Sequence, residues 1–119
     1  MSNDVSGTPR VTICTSVLNQ SEWLKETRDS ILAQTYKDWE WIVVDDGSTE
    51  DVKSVVESVN DSRIRYFRFD QNRGIPHGAN FALGQANRDY VCILAADEVI
   101  APEKLEQQVE YLDANPNIH

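Results

Sequence analysis

The feature that most constrains this fold is the alternation of short apolar runs with helical patterns. Residues 11–17 (VTICTSV), 39–44 (WEWIVV) and 90–95 (YVCILA) are apolar and rich in β-branched or aromatic residues, as expected of buried strands. Residues 63–69 (RIRYFRF) alternate charged and apolar side chains, which favours an edge strand with one wet face. Apolar residues at helical spacing follow each run, so the chain predicts four strand–helix units.

Such units predict a Rossmann-like three-layer α/β/α fold, a mostly parallel sheet with helices on both faces. We predict the strand order 3-2-1-4, with the apolar first strand central and the charged third strand at an edge. In open sheets of this kind ligands bind outside the carboxyl ends of the strands, where the strand order reverses. Function is therefore expected between the ends of strands one and four.

The helical patterns give specific expectations. Ser21 is expected to cap the first helix, and Trp23 to pack inward along its apolar face. The second helix is expected to run for about ten residues, with Ser48 or Thr49 as its cap. Leu83 is expected to face the core from the third helix.

Composition limits the class of protein. A chain of 119 residues is one domain's worth, and residues 1–9 are polar, which predicts a flexible lead-in to a domain at 10–119. The net charge of -9 argues against binding to nucleic acid. No apolar run approaches the roughly 20 residues of a membrane span. Cys14 and Cys92 are predicted to be free thiols, which favours a cytoplasmic location.

Three polar segments fall at the predicted carboxyl ends of the strands: TSVLNQ, DDGST and AADE. A turn needs only one acid, so the adjacent Asp45 and Asp46 indicate a site for a cation or a ribose hydroxyl, facing Asp97 and Glu98. Each segment also has an ordinary structural interpretation. DGSTED is a good helix start, AADE is a plausible loop, and NRGIPHG (72–78) is either a strand-to-helix turn or a loop whose N–H groups meet phosphate.

Four stretches of the sequence resemble, in their order, the nucleotide-binding half of an inverting family 2 glycosyltransferase with the GT-A fold. They are SILAQTY, IVVDDGSTED, RIRYFRFDQNRGIPHGAN and PEKLEQQVEYL. The resemblance covers roughly residues 9 to 117. It implies a nucleotide-diphosphate-sugar donor, with a UDP-sugar expected, a divalent cation (Mn²⁺ or Mg²⁺) and transfer to a hydroxyl acceptor.

The resemblance also implies roles for individual positions. It assigns the nucleoside to Ser16 and Leu18, the base or ribose to Asp46 with Asp45 beside it, and the diphosphate to the segment of Arg73 and Gly74. Asp97 matches the last Asp of the family's DxD motif, the ligand of the metal and diphosphate, and Glu98 is a possible second ligand.

The sequence departs from the family pattern at two points. Ala95 and Ala96 replace the first two residues of the DxD motif, so the metal keeps one Asp and its affinity should be lower. No residue matches the catalytic base, which the family's acceptor half supplies. The chain is therefore expected to be a donor-binding fragment, inactive alone, whose exposed apolar surface allows a homodimer.

Three other functions occur on α/β domains of this size. A signalling receiver needs its acid pair after strand one, where this chain has TSVLN. A dinucleotide-binding oxidoreductase needs G-x-G-x-x-G in the first strand–helix turn, which has no glycine. A non-catalytic nucleotide-binding module is favoured by Ala95 and Ala96, and metal-dependent binding would distinguish it from the donor-binding domain.

Overall fold

The structure, a computed structural model, describes residues 10–71, 73–86 and 90–115. It contains one parallel sheet in the order β3-β2-β1-β4, which confirms the predicted fold class and strand order. The strands are β1 (Val11–Val17), β2 (Trp39–Asp45), β3 (Ile64–Arg68) and β4 (Tyr90–Ile93). The predicted lead-in, residues 1–9, lies outside the described residues.

Helices cover both faces of the sheet. They are α1 (Ser21–Leu32), α2 (Val52–Glu57), α3 (Ile75–Gln85) and α4 (Lys104–Ala114). The larger core joins α1, α2 and α4 to one face, around the fully buried indoles of Trp39 and Trp41. On the opposite face α3 packs over β1 and β2, and its Ala82 meets Cys14, Ile42 and Val44. All four strands end at the same edge, as a parallel sheet requires.

The two helix starts differ from the predictions. Ser21 is the first residue of α1, and its backbone N–H and Oγ both donate to the Glu50 carboxylate, at 3.1 and 2.8 Å. The predicted Ser21 cap is therefore wrong. The second helix has six residues, not about ten, and Asp51 caps it by accepting the Ser54 N–H. The Asp51 carboxylate suits this position because it also faces the positive end of the helix dipole.

Two side chains that were expected to pack inward are exposed. Trp23 is 56% exposed and Leu83 is 44% exposed. Helical periodicity identifies the face of a helix that packs inward but does not say how far along that face a neighbouring element extends.

The side chains of edge strand β4 are also less buried than its apolar sequence indicates. The register places Val91 and Ile93 on the α3 side of the sheet, but α3 lies over β1 and β2, and they remain 45% and 58% exposed.

The two cysteines lie on opposite faces of the sheet. Cys14 packs against α3, whereas Cys92 pairs in register with Ile13 and packs on the other core. Among the described residues, neither cysteine forms a disulfide. Burial raises the pKa of Cys92 above its ordinary value, which keeps that thiol protonated and unreactive. In the described part of the chain, no helix combines the length and apolar character needed to cross a membrane.

Candidate functional site

The carboxyl ends of β1 and β4 border a cavity of about 280 Å³. It lies where the strand order reverses, the position at which open α/β sheets bind ligands. Its walls contain Ser16 and Gln20 from the end of β1 and the loop after it, and Asp97 from the loop after β4. The remaining lining residues are Cys14, Ile93, Leu94, Ala95 and Ala96.

The Ser16 hydroxyl is buried and has no hydrogen-bond partner among the described residues. An unsatisfied buried hydroxyl costs about 1–3 kcal/mol, so such groups usually have a reason. On one side α3 approaches this hydroxyl closely at Gly78, where a Cβ would lie 2.4 Å from Ser16 Oγ. The hydroxyl thus sits between a helix that approaches closely and a cavity, where a ligand can supply the missing partner.

Asp45 is fully buried, and three groups satisfy its carboxylate. Tyr66 donates its hydroxyl at 2.5 Å, Arg68 donates Nη1 at 2.9 Å, and the Ser48 backbone N–H donates at 2.9 Å. Burial alone would raise the pKa of Asp45, but the hydrogen bonds from Tyr66 and Ser48, together with the Arg68 charge, outweigh it and lower that pKa. Burial and the bond to Asp45 raise the pKa of Tyr66 to about 12. Asp45 therefore fixes the end of β2 against β3.

Asp46 binds the loop that precedes α3. Its Oδ1 accepts the Arg73 N–H at 2.8 Å and its Oδ2 accepts the Gly74 N–H at 2.9 Å. Gly74 has φ 91°, a conformation that glycine adopts without strain. The Asp46 side chain is 1% exposed in this arrangement. The two adjacent aspartates thus have different partners, one holding β3 and the other holding the Arg73–Gly74 segment beside the site.

The loop after β1 is bound to the loop after β2 through Asn19. Its side-chain oxygen accepts the backbone N–H groups of Thr49 and Glu50, at 2.8 and 3.1 Å, and its own N–H donates to Ser48 Oγ at 2.9 Å. Asn19 has φ 54°, a left-handed conformation that Asn tolerates better than most residues. These bonds hold the half-buried Leu18 at the carboxyl edge of the sheet.

Sequence reasoning missed Asn19, Tyr66 and Arg68. An Asn two residues after the end of a strand is a signal for a left-handed turn and could have identified Asn19. Tyr66 and Arg68 gave no such signal, because their role depends on the register between β2 and β3.

Asp97 forms the acidic end of the cavity, whereas Glu98, the next residue, lines the groove between β4 and α4. Both are exposed, and Glu98 Oε1 accepts the Ala95 N–H at 3.2 Å. Within the described ranges Asp97 makes no hydrogen bond or ion pair, so its carboxylate is available to a ligand. No cluster of three or more His, Cys, Asp or Glu occurs in that part of the chain. One or two carboxylates do fit a cation such as Mg²⁺, which completes its coordination with water and substrate phosphates.

A family model described as "Glycosyl transferase family 2" matches residues 12–119. This chain belongs to glycosyl transferase family 2. An uncharacterized glycosyltransferase of Rickettsia felis is 31% identical over 116 residues, which are 97% of this chain and 19% of that protein. The putative teichuronic acid biosynthesis glycosyltransferase TuaG of Bacillus subtilis is 32% identical over 106 residues, which are 87% of this chain and 42% of TuaG. The chain thus spans less than half the length of these relatives.

Solved structures of the GT-A fold match the same region. TarS of S. aureus (residues 1–349), in complex with UDP-GlcNAc, superposes with a TM-score of 0.84 at 25% identity, over 88% of this chain and 31% of that 1–349 chain. The mannosyltransferase PcManGT of Pyrobaculum calidifontis, in complex with GDP-Man and Mn²⁺, gives 0.80 at 29% identity, over 88% of this chain and 32% of that chain. The predicted family and the GT-A fold of a nucleotide-binding half are therefore confirmed.

Proposed function

We propose that this chain is the donor-binding part of an inverting glycosyltransferase and binds a nucleotide-diphosphate-sugar together with Mn²⁺ or Mg²⁺. The observation that carries the proposal is the cavity between the ends of β1 and β4, with the unpartnered Ser16 hydroxyl in one wall and the free Asp97 carboxylate in another. TarS complexes with UDP and with UDP-GlcNAc and the PcManGT complex with GDP-Man and Mn²⁺ support it. UDP-sugars are the proposed donors.

In this proposal the nucleoside lies on the β1 and β2 side of the cavity. Ser16 supplies its hydroxyl and Leu18 an apolar surface. Asp46 is assigned to the base or ribose. It is 1% exposed while its carboxylate accepts the Arg73 and Gly74 N–H groups, so this contact requires a shift of the Arg73–Gly74 segment when the donor binds. Asp45 contributes to the nucleoside site only by fixing the end of β2, because its carboxylate already accepts three hydrogen bonds.

The diphosphate is assigned to the Arg73–Gly74 segment and to the metal. Arg73 supplies positive charge, and the bond from its backbone N–H to Asp46 holds it beside the site. Asp97, with Glu98 as second ligand, would hold the cation, which neutralises the diphosphate. Without a cation the diphosphate would meet these acids in a chain of net charge -9, and like charges repel.

The proposal assigns no catalytic base to the described residues. An inverting transfer needs a base within hydrogen-bond reach of the acceptor hydroxyl, and the acidic groups near the cavity are assigned to donor and metal. We expect this chain alone to bind nucleotide and to transfer no sugar. We also propose a cytoplasmic location, supported by two cysteines that form no disulfide among the described residues, and a homodimer through the exposed β4 edge.

Calorimetric titration with UDP and GDP tests the proposal. With Mn²⁺ we expect a dissociation constant of about 10⁻⁴ to 10⁻³ M, because the cavity encloses the ligand only partly. EDTA should remove most of the binding. Asp97→Ala should do the same, whereas Glu110→Ala, an equal change of charge at an exposed site on α4, should not. Equal binding with Mn²⁺ and with EDTA would favour the non-catalytic binding module that Ala95 and Ala96 suggest.

A further inference from the structure

A row of polar side chains on α1 binds the loop that follows β4. Thr27, Ser30 and Gln34 are spaced by three and four residues, so they lie on one face of the helix and of the turn that continues it. Thr27 and Gln34 are fully buried. Polar groups in such positions need partners, and here the partners are backbone atoms of a loop about 70 residues further along the chain.

The contacts fall on both sides of the acidic pair. Thr27 Oγ1 donates to the Ala96 carbonyl at 2.9 Å, immediately before Asp97. Ser30 Oγ accepts the Ile100 N–H at 3.3 Å, two residues after Glu98. Only residues 97–99 lie between these two attachments, and all three are exposed.

Gln34 extends the attachment to the start of α4. Its Nε2 donates to the Ala101 carbonyl at 2.7 Å, and its Oε1 accepts the Leu105 N–H at 3.1 Å. The second bond satisfies a first-turn N–H of α4 that has no partner within the helix. Next to Gln34, Thr35 donates its hydroxyl to the Pro102 carbonyl at 3.2 Å and to Glu106 at 2.6 Å.

We propose that Thr27 and Ser30 are positioning residues that set where the Asp97 carboxylate stands relative to the cavity. β4 ends at Ile93, so the strand by itself leaves Ala95 to Val99 free to swing. Two attachments one helical turn apart restrict this segment, and the bond from the Glu98 N–H to the Ala95 carbonyl at 3.1 Å closes the turn that carries Asp97. The inference rests on the proposed metal role of Asp97 and adds that α1 supplies the geometry for it.

The alternative is that Thr27 only stabilises the fold, and a matched pair of substitutions separates the two. Thr27→Val removes the hydroxyl at Ala96 and keeps the β-branched shape, while Thr27→Ser keeps the hydroxyl. Thr35→Val removes a hydroxyl that lies outside the 96–100 segment, where it contacts Glu106 of α4 at 2.6 Å and the Pro102 carbonyl at 3.2 Å. Both Val variants lose a hydrogen bond and should lower the melting temperature, Thr27→Val by more, because Thr27 is fully buried and Thr35 is exposed.

Amide hydrogen exchange supplies the first readout and needs neither metal nor nucleotide. Thr27→Val should speed exchange at the Glu98 and Ile100 amides by roughly 2- to 10-fold, the effect of one lost hydrogen bond, because these amides donate to the Ala95 carbonyl and to Ser30 Oγ. Thr35→Val should leave these amides unchanged, and Thr27→Ser should stay close to the parent chain. Equal exchange at Glu98 and Ile100 in the parent, Thr27→Val and Thr35→Val would overturn the proposal.

The second readout is UDP binding with Mn²⁺ and with EDTA. Thr27→Val should reduce the Mn²⁺-dependent part of the affinity by roughly 2- to 10-fold and leave binding in EDTA unchanged, whereas Thr35→Val should change neither. If Thr27→Val and Thr35→Val reduce the Mn²⁺-dependent part equally, the effect is one of stability and the proposal fails. If the parent chain itself shows no Mn²⁺ dependence, the proposed function fails, and the exchange rates still decide whether Thr27 positions the loop.

Discussion

Replacing Asp46 by Asn should release the Arg73–Gly74 segment while the sheet stays intact. The two carboxylate oxygens each accept one backbone N–H, from Arg73 at 2.8 Å and from Gly74 at 2.9 Å. An amide keeps one acceptor and turns an N–H₂ group toward the other donor. Because the side chain is 1% exposed, water has little access to replace the lost bond.

The expected increase in the exchange rate of the Arg73 and Gly74 amides follows from the number and type of the hydrogen bonds lost. A hydrogen bond to a charged group contributes about 1.5–3 kcal/mol, and Asp46→Asn removes one such bond and weakens the other. The loss acts on a loop, so it should appear mainly as local opening. The Arg73 and Gly74 amides should then exchange about 10- to 100-fold faster, at 1.4 kcal/mol per tenfold.

Hydrogen exchange measured by NMR is the assay, with Asp70→Asn as the control. Asp70 is exposed, lies three residues before Arg73, and its substitution changes the charge equally. We also expect Asp46→Asn to weaken UDP binding with Mn²⁺ and with EDTA alike, because Asp46 serves the nucleoside side. Unchanged exchange at Arg73 and Gly74 would refute the role of Asp46 in holding this loop.

The remaining predictions concern stability and association. Gly78→Ala should lower the melting temperature, because the new Cβ would lie 2.4 Å from Ser16 Oγ. Gly84→Ala is the control: a Cβ there would have no other described neighbour within 4 Å, so the substitution should be neutral or slightly stabilising in thermal unfolding. The pKa of Asp45 is lower in the folded chain than its ordinary 3.8, so its contribution is complete well above pH 3.8 and is lost as the pH falls through the folded value. Asp45→Asn should therefore flatten the acid side of a urea-unfolding profile, and a profile as steep as the parent's would contradict this. Sedimentation should show concentration-dependent self-association that Ile93→Lys, at the open β4 edge, abolishes, and a clean monomer of the parent chain would exclude the homodimer.

The sheet could be predicted from the sequence because its signals are local. The apolar runs fix which segments are strands, and the charged residues Arg63, Arg65 and Arg68 mark β3 as an edge. The strand order then places Asp46 and Asp97 at one end of the sheet, as the topology confirms.

The partners within the site could not be predicted, because they depend on contacts between distant segments. Nothing local in DDGST distinguishes Asp45, which binds Tyr66 and Arg68, from Asp46, which binds the Arg73–Gly74 segment. The helix errors have a similar cause. Trp23 has the right spacing to be buried, but whether a neighbour reaches it is decided by tertiary packing.

A crystal structure of this chain with UDP and Mn²⁺, with anomalous diffraction from the manganese, would locate the metal and the nucleotide and so test the proposed donor site. We predict an anomalous peak in direct contact with an Asp97 carboxylate oxygen and with the diphosphate, and the nucleoside beside Ser16 and Leu18. A nucleotide bound instead in the groove of about 600 Å³ between β4 and α4, or a manganese that does not contact Asp97, would contradict the account.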